Sequence, residues 1–295
     1  MRILLLLFMA VNTCAQTPVV YYGIRDALQK DVNATQLNLR DRQLFDLNDS
    51  IVLLKNLRFL NLMRNNFEEW DKDLFSLSRL EILNVQENKL RDIPVDITRL
   101  NQLIKLDMAD NNVSKITASI GKLKKLQYFN AAQNALILID EAIGNCNNME
   151  VLELENNQLS HLPSSVKKLQ HLRVFNLSYN QFNEFDPEWA LDNIQELNLS
   201  YNYIRQIPEV LGQMHNLQTL IINNNKLEGL PVSLTTLTKL QLLVISGNNI
   251  RTLPVEIGRL QQLKTLIATD NVFSTEEKER IRRALPQCKV YFSKG

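Results

Sequence analysis

Few residues in this chain are able to do chemistry, and most stand at spacings that no reaction uses. Three histidines, His161, His171 and His215, occur in 295 residues, and none has a cysteine or carboxylate at metal-ligand spacing. The sequence has no H-E-x-x-H, no G-x-S-x-G and no glycine-rich phosphate loop. No catalytic residue, metal site or cofactor is therefore expected. The one chemistry placed at regular spacing is amide hydrogen bonding. Asn65, Asn88, Asn111, Asn134, Asn157, Asn180, Asn202, Asn225, Asn248 and Asn271 follow one another every 23 residues, with a single interval of 22 between Asn180 and Asn202. A primary amide carries two N–H donors and an acceptor oxygen. Ten of them at one period predict a structural ladder tying together copies of a single unit.

The elements that must position those amides are written around each one. The unit that starts at Leu80 reads Leu80-Glu-Ile-Leu83-Asn-Val85-Gln-Glu-Asn88-Lys-Leu90. This is L-x-x-L-x-L-x-x-N-x-L, and it resembles the signature of the leucine-rich-repeat family over about residues 34–273. The resemblance implies an α/β solenoid, a leucine-rich-repeat horseshoe. Its concave wall would be a parallel β-sheet of about eleven strands, and its convex side irregular or short-helical. It also implies a protein that binds other molecules and is not an enzyme. The residues agree with such a fold. Counted from the first leucine, positions 1, 4, 6 and 11 are apolar and must face inward, while positions 3, 5, 7 and 8 must point out, and the alternation from 3 to 7 is a strand signal. Pro94, Pro163, Pro208, Pro231 and Pro254 recur at position 15, where a missing backbone donor favours a turn over a long helix. Only the first unit, from Ala34, breaks the amide series by placing Arg42 at position 9.

Both ends need covers, because an open core ribbon would associate with others. A capping helix is expected within residues 16–33, with Ile24, Ala27 and Leu28 at helical spacing. At the rear, residues 274–295 open with Ser274-Thr-Glu-Glu277, a capping box. A charged helix follows, its basic residues expected as a solvated face, and then a final alternating strand at Lys289–Phe292. That closing string is similar to the tails of secreted bacterial leucine-rich-repeat proteins.

The 33 basic and 32 acidic residues nearly cancel, which argues against a nucleic-acid partner, since one would need a basic stripe to displace counterions. Residues 1–15 have Arg2, an apolar run Ile3–Val11 and a small-residue exit at Ala15, the pattern of a signal peptide cleaved before Gln16. Lipid anchoring at Cys14 is the less favoured alternative. The run is too short for a transmembrane segment, which needs roughly 20 apolar residues. Export would place the protein in the periplasm, at the cell surface or outside. Cys146 and Cys288 stand about six repeats apart, roughly 30 Å at sheet spacing, too far to pair. Both are expected to be buried.

The outward positions carry the candidate binding residues. Position 5 reads Asn38, Asn61, Asn84, Asp107, Asn130, Glu153, Asn176 and Asn198, then switches to Ile221, Val244 and Ile267. The asparagines either pair their amides along the sheet or meet a ligand. Glu153, Glu155 and Glu196, with Asp107 and Asp110, gather acid near the middle, and Phe59, Tyr128, Tyr179 and Tyr201 supply rings. Ile221, Leu242, Val244 and Ile267 would form an aliphatic patch toward the rear, which strand propensity or partner binding could each explain. The favoured reading is an exported module that recognises a protein partner through the concave face. A structural or adhesive envelope protein that grips glycan is the alternative.

Overall fold

The computed structural model describes residues 19–293. The signal-peptide segment and Cys14 lie outside the described residues. The eleven expected repeat strands form, each three residues long, from Gln36–Asn38 through Tyr128–Asn130 to Thr265–Ile267. They pair in parallel and in constant register, so that Ile221 lies beside Val244 and Val244 beside Ile267. The sheet nevertheless has thirteen strands. The two additions are covers. Val20–Tyr21 pairs with Gln36–Leu37 at the front, and Lys289–Tyr291 pairs with Thr265–Ile267 at the rear. The front strand escaped sequence reading because two residues are too few to show an alternation.

Behind the sheet each unit returns through one short 3-10 turn, five residues long in most units, such as Val95–Arg99. Position 15 starts these turns in one of two ways, except at Thr117, whose hydroxyl donates to Ile93 O. Proline does so at Pro94, Pro163, Pro208, Pro231 and Pro254, whereas Asn48, Asp71, Asp140 and Asp186 accept a hydrogen bond from the N–H two residues on. The acceptors satisfy one donor where the turn begins, and proline removes one. The 22-residue interval also has a cause. In that unit the turn shrinks to Pro187–Trp189, and the Trp189 ring, 2% exposed, fills the core against Phe182 at 5.0 Å. A larger side chain replaces a residue of backbone.

The asparagine ladder forms as the spacing predicts. Asn157 Nδ2 donates to Ala131 O at 3.0 Å in the preceding unit and to Leu154 O at 3.0 Å in its own. Its Oδ1 accepts from Leu136 N–H at 3.0 Å. The same geometry recurs from Asn65 to Asn271. Each amide therefore closes its own strand and clamps the previous unit.

At the front, helix α1 (Ile24–Lys30) buries Ala27 and rests Ile24 and Leu28 on the core. Arg42, the residue without an amide, donates instead to Tyr22 O of the front cover at 3.0 Å. At the rear, helix α2 (Thr275–Ala284) is capped by Ser274, which accepts from Glu277 N–H. Only half of the expected box forms, because the Glu277 carboxylate turns back to accept from Leu253 N–H at 2.9 Å. It also takes Arg280 Nε at 2.6 Å, and that guanidinium holds its pKa below the usual carboxylate range. The basic residues of α2 are thus not simply solvated. Arg280 reaches Leu253 O at 2.8 Å, and the Arg282 guanidinium sits 5.2 Å from the centre of the Phe292 ring. Cys146 is buried, and burial raises its thiol to about 11, but Cys288 is only partly buried; both are free.

Candidate functional site

Three strand residues per unit leave two outward rows on the sheet, and register makes each row continuous. The position-3 row includes Phe59, Ile82, Lys105, Tyr128, Val151 and Val174, then Glu196, Thr219, Leu242 and Thr265. Ile82, Val151 and Val174 extend the aliphatic face toward the front. Sequence reading passed over them because each stands alone among polar neighbours in its own unit. Phe59 and Tyr128 share the row but are three strands apart, about 14 Å, so they do not form one cluster. Lys105 Nζ lies 4.1 Å from the centre of the Tyr128 ring, a cation–π contact.

The position-5 row behaves in two ways. In the front and middle, the asparagines do not form the amide-to-amide ladder that was one expectation. Their Oδ1 atoms instead accept from the N–H two residues on: Asn61 from Met63 at 2.9 Å, Asn84 from Gln86 at 2.9 Å, Asn198 from Ser200 at 3.0 Å. Short polar side chains favour this local bond. Asn176 also donates to Glu155 Oε2 at 2.9 Å. Asp107 follows the same plan with Ala109 N–H at 3.4 Å. It is 7% exposed, and burial raises its pKa against the opposing pull of Lys105. It therefore drops out of the exposed acidic group, leaving Asp110, Glu153, Glu155 and Glu196.

At the rear Ile221, Val244 and Ile267 occupy adjacent places in this row, partly exposed, with Leu242 beside Val244 on the same strand. None of these side chains can accept a hydrogen bond. Among the described residues, the N–H groups of Asn223, Ser246 and Thr269 accordingly have no Asx partner like that of Met63.

Tyr179 and Tyr201 stand apart from that patch, at position 8 on the rim where the strands end. Their rings stack at 4.1 Å and 10°, exposed 46% and 44%, and hydrogen bonding with Tyr201 raises the Tyr179 phenol. Both have left-handed backbone, φ 54°, a region that bulky side chains rarely adopt. Every unit does this at position 8, from Asp41 to Asp270, and Gly247 alone there is glycine. The cause is the stack: Tyr179 N–H donates to Ser200 O and Tyr201 N–H to Asn223 O, each at 2.9 Å in the next unit. The sequence could not show this, since the usual glycine signal for left-handed backbone is absent in ten of eleven units.

The three histidines lie on the return side, His171 against Asn147 O and His215 against Asp192. No group of metal-binding side chains occurs among the described residues, and no helix among them is long and apolar enough to cross a membrane.

The family profile described as "Leucine rich repeat" matches residues 55–113, 170–227 and 215–273. No curated protein sequence matches the chain. Among solved structures, a leucine-rich-repeat protein of Leptospira interrogans is 25% identical, with 94% of this chain and 100% of that one covered and a TM-score of 0.55. The functional domain of InlJ from Listeria monocytogenes is also 25% identical, over 89% of this chain and 53% of that one, with a TM-score of 0.73. A third, 25% identical over 85% of this chain and 45% of that one with a TM-score of 0.70, is the Arabidopsis receptor kinase HAESA in complex with the peptide hormone IDA and the co-receptor SERK1.

Proposed function

The chain belongs to the leucine-rich-repeat family, whose fold serves protein–protein interaction, and from that premise we propose that it is an exported recognition protein holding a protein partner on its concave sheet. The observation that carries this reading is the change in the position-5 row. Three successive strands give up a hydrogen-bonding asparagine and present Ile221, Val244 and Ile267 instead. Each absent bond forgoes about 1 kcal/mol, a sum comparable to the whole span of strand propensity, and partner binding supplies a further reason for the aliphatic choice. Exposed aliphatic and tyrosine side chains, here on the sheet and on its rim, are what the centres of interfaces use. The nearby Glu153, Glu155 and Glu196 would steer a basic partner. The complex of HAESA with a peptide hormone and a co-receptor supports a peptide or protein partner for a fold of this kind. The leader-like residues 1–15 support export, and N-terminal sequencing of the product from its own cells tests that half directly.

The binding half is tested by replacing Tyr179, Tyr201 and Val244 together with alanine. Co-purification from the native envelope or medium should yield a protein with the parent chain and lose it with the folded variant. Undiminished recovery would remove the concave face from consideration.

A further inference from the structure

A second feature lies off the concave face, on the flank where the chain leaves the rim. A cleft of about 690 Å³ runs between two successive units there, lined in part by Arg205, Lys226, Glu228 and Asn249. A smaller cleft of about 380 Å³ adjoins it, lined by Asn183, Glu184, Tyr203, Arg205 and Lys226. Arg205 and Lys226 are common to both, so the two hollows meet at a pair of cations. Neither cation forms an ion pair among the described residues, although carboxylates line both hollows. Lys226 Nζ is 4.9 Å from the centre of the Tyr203 ring, which stays 51% exposed.

We propose that this double cleft binds an acidic oligosaccharide, one sugar in each hollow, with its carboxylate held between Arg205 and Lys226. Four features select that chemistry. The volume suits a small ligand and not a protein side. Six of the fourteen lining residues carry an amide or carboxylate that can exchange hydrogen bonds with hydroxyls, and apolar neighbours such as Ile207 and Leu230 can meet sugar C–H groups. An arginine fork matches a carboxylate bidentately. The half-exposed Tyr203 ring offers an aromatic surface to the C–H face of a sugar. The site goes beyond the concave-face reading and stands or falls separately.

The test is ligand-observed saturation-transfer NMR and calorimetry on the full chain. The probes are three acidic oligosaccharides, containing glucuronate, galacturonate or sialic acid, each beside a neutral counterpart of equal length. At least one acidic probe should bind saturably and about tenfold more tightly than its neutral counterpart. Arg205→Ala and Tyr203→Ala should each weaken it about tenfold, whereas Val244→Asn on the concave face should leave it unchanged. Tyr203, Arg205 and Lys226 are exposed, so their variants should keep the parent melting temperature, which is checked first. No saturable binding by any acidic probe, equal binding of acidic and neutral forms, or binding that survives the Arg205→Ala and Lys226→Ala double change would each overturn the proposal.

Discussion

The front and rear of the same sheet share one scaffold and differ in what they show. From Asn38 to Asn198 the six position-5 asparagines fold back onto their own backbone, accepting from the N–H two residues on. From Ile221 to Ile267 the equivalent side chains can accept nothing and stand partly exposed. Beneath both halves the inner amides are alike: Asn88 and Asn248 each donate to carbonyls of two units and accept from one N–H. The contrast therefore lies in display alone. A local rule kept for most of a repeat array and broken in neighbouring units marks a place where stability has yielded to another demand.

The largest expected effect checks that the scaffold really is common. Asn88→Leu and Asn248→Leu each leave one N–H without its acceptor and take from two carbonyls one of their two amide donors, in a nearly closed site. Each should cost roughly 2–3 kcal/mol, read from urea unfolding midpoints, with neighbouring units coupled to the loss. A much smaller cost at Asn248 would mean the rear is loosely built, and its aliphatic face would then need no functional cause.

A second way to break the contrast is to blame the rear cover. Glu277 and Arg280 pin α2 to Leu253 on the return side, away from the sheet face. Glu277→Gln should cost about 1–2 kcal/mol at neutral pH and leave partner capture intact. The pH dependence has a definite sign. Because Arg280 and the Leu253 N–H lower the carboxyl pKa in the folded chain, its contribution is fully present above the unfolded value, about 4.3. It disappears as pH falls through the lower folded value. Denaturation curves of parent and variant should therefore draw together only as pH falls below the lowered folded value; a gap that persists in strong acid would refute this account of the cover.

Much of the scaffold could be read from the residues, because inward apolar residues and ladder asparagines repeat without exception from Asn65 onward. The aliphatic switch at Ile221 was equally plain. What escaped is set by partners in the neighbouring unit. Tyr179 and Tyr201 are left-handed because the next strand's carbonyls demand it, and no local propensity announces that. The flank cleft brings together Asn183, Tyr203 and Lys226, residues up to 43 positions apart (226 − 183) with no motif among them. Asp107 looked like a surface acid until its burial against the sheet was visible.

The front row can be made to imitate the rear. Asn84→Val removes the bond to Gln86 N–H while suiting a strand, so a net loss of about 0.5–1 kcal/mol is expected. A gain in stability would show that the Asx bond is worth nothing, and the argument from sacrifice would fail.

The reverse exchange is the finest test. Val244→Asn places an amide where it can accept from Ser246 N–H, the geometry Asn198 adopts with Ser200 two strands away. If the rear strands have given up stability for display, the variant should be more stable than the parent by up to about 1 kcal/mol. It should also bind the concave-face partner less well. Most substitutions in a packed solenoid destabilise, so a gain here would be hard to obtain by accident. A loss in both stability and binding would instead assign Val244 to packing, and a gain with binding unchanged would leave the aliphatic row without a recognition role.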